Sequence, residues 1–172
     1  MGNLEDRVDN QRGYLRRIAG LIPGFSGYSD REKRREADKL EREFLAQKIV
    51  AQKNGVRRLM DDFTAAGKIE GISNFDKILN KIDKLAARIR NASYGWSGLF
   101  DAIEIRSAEL EKLYQYDLGL VEGVQELATA IAEMQKLASD PPAAQAKARD
   151  VGELVDRMDD YFSRRTELVT RG

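Results

Sequence analysis

An apolar ladder at heptad spacing, Ile103, Leu110, Leu113, Leu120, Val124, Leu127, Ile131, Met134 and Ala138, constrains this chain more than any other feature. Apolar residues recurring about every 3.5 positions lay one continuous stripe along an α-helix, and a stripe of that length requires other helices to cover it. The chain has 172 residues, enough to bury a core as one domain, and its 34% charged residues suit long exposed helical faces.

Four further helical patterns flank the ladder. Helix one is predicted over 4–21, with Leu4, Val8, Leu15, Ile18, Ala19 and Ile22 on one face, and Pro23-Gly24 ends it. Ser29-Asp30-Arg31-Glu32 has capping-box spacing, so helix two is expected from about 30 to 66, stopped by Gly67, with a bend or break possible at Asn54-Gly55. Phe75, Ile78, Leu79, Ile82, Leu85, Ala86 and Ile89 define helix three over 74–91, with Ser73 as its N-cap. The ladder itself is helix four, 99–138, which would be close to 60 Å long. Asp140-Pro141-Pro142 opens helix five over 141–170, whose stripe is Val151, Leu154, Val155, Met158, Phe162, Leu168 and Val169. No segment alternates with period two, so the expected class is all-α: an elongated antiparallel bundle of coiled-coil-like hairpins.

A register follows if the turn between helices four and five centres near residue 140. Facing residues then have numbers summing to about 281, which sets Leu127 against Leu154, Leu120 against Tyr161, and Asp117 against Arg164 or Arg165. Asp117 and Arg165 are the polar breaks in two apolar stripes, so their meeting at one level would fix register. The alternative is that both charges snorkel to solvent.

Composition narrows the chemistry. With no histidine and no cysteine, disulfides, thiolate nucleophiles, imidazole bases and the Glu-x-x-His pairs of di-iron bundles are excluded. Neither phosphate-binding glycine loops nor Gly-x-Ser-x-Gly or Ser-x-x-Lys motifs occur, so no enzyme activity, cofactor or metal is expected. The carboxylate pairs Asp61-Asp62 and Asp159-Asp160 would chelate poorly, since helical neighbours point about 100° apart. Basic and acidic residues balance at 29 each, which gives no net field towards nucleic acid. In the run 30–43, Arg31, Lys33, Arg34, Arg35, Lys39 and Arg42 are cancelled by Asp30, Glu32, Glu36, Asp38, Glu41 and Glu43, as expected of a solvated, ion-paired face. The start, Met1-Gly2-Asn3-Leu4-Glu5-Asp6-Arg7, lacks the order of a signal peptide, and no apolar run is long enough to span a bilayer, so the expected location is cytoplasmic.

Two features remain as interaction candidates. The segments Ile22 to Tyr28 and Tyr94 to Phe100 present Phe25, Tyr28, Tyr94, Trp96 and Phe100 on glycine-rich frames, and an up-and-down bundle would bring both to one end. They either form a partner-binding surface or plug the end of the bundle. Helix one offers Arg12 and Arg16 beside Leu15, Ile18 and Ile22, which suits either a membrane interface, with the protein peripheral at the inner membrane, or one more bundle helix.

The string Leu21-Ile22-Pro23-Gly24-Phe25-Ser26-Gly27-Tyr28, running into Arg34-Arg35-Glu36-Ala37-Asp38-Lys39-Leu40, resembles a segment of uncharacterised bacterial helical proteins. The resemblance covers about a fifth of the chain and implies a bacterial source and a helical fold, with no activity attached. In architecture, long antiparallel helices behind an amphipathic N-terminal helix are similar to bacterial membrane-stress coiled-coil proteins. The function expected from the sequence is a non-enzymatic scaffold that binds a protein partner or forms a homo-oligomer, with peripheral membrane association as the alternative.

Overall fold

The structure, a computed structural model, describes residues 4–171, so the first three residues of the start and Gly172 lie outside it. It is all-helical: α1 (Leu4–Leu21), α2 (Arg34–Ala51), α3 (Lys53–Ala65), α4 (Ile72–Arg90), α5 (Ser107–Gln135) and α6 (Pro141–Arg171), with a short 3-10 turn, Arg31–Lys33, before α2. Counting α2 and α3 as one bent rod gives five helices, as the hydrophobic periodicity predicts.

Four rods form the bundle. α2–α3 and α6 stand diagonally, as do α4 and α5, while α2 touches α4 and α5, and α6 touches the same two. Lys53 pairs with Asp83 and Arg42 reaches Arg90, so α4 runs antiparallel to α2–α3. Gly55 abuts Ile131 while Glu41 lies near Asp117, so α5 runs parallel to α2–α3. Because α4 and α5 are diagonal neighbours, their connection crosses the bundle end instead of turning tightly, which accounts for a loop as long as 91–106. α1 lies on the outside of α5.

The core follows the sequence stripes. Leu113, Leu120, Val124, Leu127, Ile131 and Met134 of α5 are buried, as are Phe75, Ile78, Ile82, Leu85, Ala86 and Ile89 of α4. Gly123 faces Met158 and Lys147 pairs with Glu133, numbers that sum to 281 and 280 as the hairpin register requires. Asp140 Oδ1 accepts from Ala143 N at 3.1 Å and caps α6.

Three sequence expectations need correction. Helix four begins at Ser107, not Leu99, so Ile103 leaves the ladder and is 86% exposed, and α5's 29 residues span about 44 Å rather than 60. Residues 99–102 are instead drawn onto the bundle end by Arg34 of α2 and the Val169 carbonyl of α6. Ser73 lies inside α4, whose first turn is preceded by Gly71 at φ 83°. The break in helix two falls at Gln52, where the backbone tightens to Gln52 N–Ile49 O and Gly55 N–Gln52 O bonds, and not at Gly55.

Gly55 has a different task. A Cβ there would stand 2.5 Å from Ile131 Cγ2, a branched and buried side chain that cannot swing away. Glycine to alanine ordinarily gains about 1 kcal/mol in a helix, but overpacking costs about 1–3 kcal/mol. Gly55→Ala should therefore be neutral to destabilising by up to about 2 kcal/mol in urea unfolding. A gain near 1 kcal/mol would show that α3 and α5 are less closely seated.

Candidate functional site

α2 carries its buried stripe, Leu45 and Ile49, backwards through Arg34, Asp38, Glu41 and Arg42 at helical spacing. All four are buried, whereas Arg31, Glu32, Lys33, Arg35, Glu36, Lys39 and Glu43 of the same run are exposed. The expected solvated face is thus corrected for four residues: their position on the stripe outweighs their charge. Burial of ionised groups is sustained only by close pairing.

The pairing comes from α6. Arg165 is fully buried and reaches diagonally across the bundle, where the backbones of α2 and α6 do not approach. Its Nε donates to Asp117 Oδ1 at 2.6 Å. Nη2 donates to Glu41 Oε2 at 2.9 Å and to Tyr28 Oη at 3.1 Å. Nη1 donates to Tyr94 Oη at 3.0 Å and lies 2.8 Å from Asp38 Oδ1, an ion pair outside hydrogen-bond alignment. Asp38 is also held by Arg42, whose Nε donates to Oδ2 at 2.8 Å. Arg42 Nη1 in turn donates to Ile89 O and Arg90 O, satisfying carbonyls at the C-terminus of α4. One arginine therefore joins α2, α5 and α6 to both non-helical segments, through Tyr28 and Tyr94.

The crossover is fastened at many points. Ser97, buried, donates its hydroxyl to Val169 O at 2.8 Å, and Leu99 N donates to the same carbonyl, so the loop caps α6. Arg34 donates to Tyr28 O, Phe100 O and Ala102 O. Arg35 donates to Gly95 O and Asp101 Oδ2, and Arg31 to Asp101 O. The Ser97 N–H and Arg35 together hold the Asp101 carboxyl below its ordinary range.

The two aromatic segments do meet. Tyr28 stacks on Phe100 at 5.6 Å and meets Phe25 edge-on at 5.6 Å, while Phe100 meets Tyr94 at 6.0 Å. As a binding surface the set needs correction, because Phe25, Tyr28 and Phe100 are buried and close the bundle end, and Tyr94 is half-buried with its hydroxyl on Arg165. Only Trp96 stands out, 82% exposed, with Ile103 also exposed on the same crossover.

The membrane-contact set divides likewise. Ile18 and Ile22 are buried and Leu15 half-buried, Gln11 donates to Ser107, and Arg17 pairs with Glu122. Leu15, Ile18 and Ile22 are therefore turned towards the bundle, while Arg12 and Arg16, together with Leu4, Ala19 and Leu21, are exposed. Among the described residues, no cluster is spaced to hold a metal ion and no helix is long and apolar enough to cross a membrane.

Burial pushes the Glu41 carboxyl well up, and the neighbouring Asp117 adds to this against the pull of Arg165. Asp117 is also raised by burial, with Arg165 and the Tyr28 hydroxyl working against it. Burial lifts the Tyr94 phenol to about 12. Sequence reasoning found Asp117 and Arg165, singled out Tyr28 and Tyr94 only as aromatics of a binding surface or an end plug, and took Asp38, Glu41 and Arg42 for a solvated face; extending the Leu45–Ile49 stripe backwards by helical steps would have found these last three. No family model, curated protein or solved structure matches the chain, so function rests on this geometry.

Proposed function

We propose that the protein is a non-enzymatic helical interaction domain whose contact is made by the crossover loop 91–106, with Trp96 at its centre. The observation that carries this reading is a large aromatic, 82% exposed, on a loop that is bonded to α2 and α6 from both sides. Tryptophan is enriched among the residues that dominate interfaces. A loop already fixed in one conformation spends little ordering entropy when a partner arrives. The same crossover contributes Phe100 and Asp101 to an open depression of about 490 Å³ that Asp30, Arg31, Glu32 and Arg35 also line, room for a partner's side chain. The carboxylates that general acid–base chemistry would need at neutral pH are sealed inside the arginine cluster, which supports the non-enzymatic reading.

A photo-crosslinking amino acid at position 96, in the cells that produce the protein, should give one discrete adduct, and the same probe at exposed Gln125 on α5 should not. An adduct of twice the chain mass identifies self-association. Trp96→Ala should weaken the captured complex by about 2 kcal/mol, roughly thirtyfold, and leave thermal stability unchanged. Equal labelling at both positions, or none at 96, contradicts the reading.

A further inference from the structure

The cluster around Arg165 does not balance as drawn. It contains three carboxyls, Asp38 and Glu41 from α2 and Asp117 from α5, against two guanidiniums, Arg42 from α2 and Arg165 from α6. Arg34 is buried on the same helix but donates to three carbonyls and pairs with none of these acids. The 22–30 segment contributes Tyr28 and the crossover Tyr94, Tyr114 of α5 stands against Tyr28, and α4 contributes only the carbonyls that Arg42 holds. One bound proton would make the five acidic and basic groups neutral.

Donor counting says where that proton sits. The Tyr28 hydroxyl lies 2.6 Å from Asp117 Oδ2 and 3.0 Å from Glu41 Oε2. A phenol has one proton, so it satisfies one carboxylate, and the shorter contact assigns it to Asp117. A proton on Glu41 turns its 3.0 Å approach to the phenol oxygen into a hydrogen bond, whereas two acceptors without a proton between them would repel. A second observation agrees: Glu41 Oε1 is buried without any hydrogen-bond partner, a poor place for half of a negative charge.

We propose that Glu41 is a proton-operated latch: protonated, it holds Tyr28 and Arg165 in place, and ionised, it drives release of the 22–30 segment and the Tyr94 loop. Those two segments are the non-helical members of the cluster, so they yield first when a buried negative charge is left unbalanced. The latch rests on the cluster's geometry and is independent of what Trp96 binds.

The direction of the pH effect follows. A carboxyl that holds its proton more tightly in the folded chain than at its unfolded pKa of about 4.3 makes the folded state the better proton binder. Stability is then greatest below the unfolded pKa and falls as pH rises, until the folded pKa is passed. Asp101 and Glu133, held below their ordinary values, act in the opposite direction only in more acidic solution.

Urea unfolding of the full chain between pH 5 and 9 should show the unfolding constant rising up to about tenfold per pH unit. Glu41→Gln should flatten that slope, and a variant that keeps the wild-type slope would overturn the proposal. Should Glu41→Gln fail to fold, carbon-13 carboxyl shifts of the wild type decide: titration of Glu41 well above the unfolded-chain value of about 4.3 supports the latch, and titration at or below that value overturns it. Release itself is read by hydrogen exchange. After correction for base catalysis, protection of the Tyr28 amide, which donates to Tyr114 Oη, and of amides 97–101 should fall over the range in which Glu41 ionises. Unchanged protection across that titration would also overturn the proposal.

Discussion

Replacing Arg165 by methionine should lower the stability of the fold by about 3–5 kcal/mol, because removing one partner of a buried ionic group leaves the others unpaired. Methionine keeps much of the apolar stem, so loss of packing is a minor part of the effect. What changes is that Asp38, Glu41 and Asp117 would share one remaining cation, Arg42, and that the phenols of Tyr28 and Tyr94 would each lose a donor. Asp117, deprived of the guanidinium that holds it ionised, would respond by taking up a proton, so the deficit should be larger at pH 8 than at pH 5. Replacing Glu41 and Asp117 by leucine in the same chain should restore much of the loss, since apolar residues of similar volume often substitute for a buried ionic set without cost. Urea unfolding of the single and triple variants measures both, and a loss below about 1 kcal/mol for Arg165→Met would mean that the cluster is not a stabilising centre.

The second large effect is expected at the opposite end of the bundle. Phe75, fully buried in the first turn of α4, meets Phe63 of α3 edge-on at 5.4 Å, and the pair joins the two helices around the 66–71 turn. Phe75→Ala should cost about 3–5 kcal/mol through lost transfer energy and the cavity left behind. The site shares no partner with Arg165, so the two losses should add to within about 0.5 kcal/mol in a double variant. A larger coupling would show that the ends of the bundle communicate through the core.

Much of this was legible in the sequence, for physical reasons that can be named. The stripes of α4 and α6 were read directly, because apolar residues at helical spacing have no alternative to facing a neighbour. The level at which Asp117 meets Arg165 was also readable, since two polar interruptions in two apolar ladders are each too costly to bury alone. The N-terminal half of α2 was misread because charge was weighed before position: Arg34, Asp38, Glu41 and Arg42 look like half of a solvated run until they are placed on the Leu45–Ile49 stripe. The start of α5 was misread because Ile103 keeps heptad register by spacing alone, whereas contacts from Arg31, Arg34 and Arg35 draw 95–102 into an irregular loop. Such long-range side-chain to backbone bonds leave no periodic trace. Crossover topology was hidden for the same reason, since loop length alone does not say which helices are neighbours.

The most direct test of the buried arginine cluster is a nitrogen-15 spectrum of the arginine guanidinium groups at neutral pH. Arg165 should give separate, slowly exchanging Nε and Nη proton signals, because its donors are buried and bonded to Asp117, Glu41, Tyr28 and Tyr94, and Glu41→Gln should shift them. A single averaged Nη signal for Arg165, exchanging with water as fast as those of exposed Arg12 and Arg16, would contradict the account.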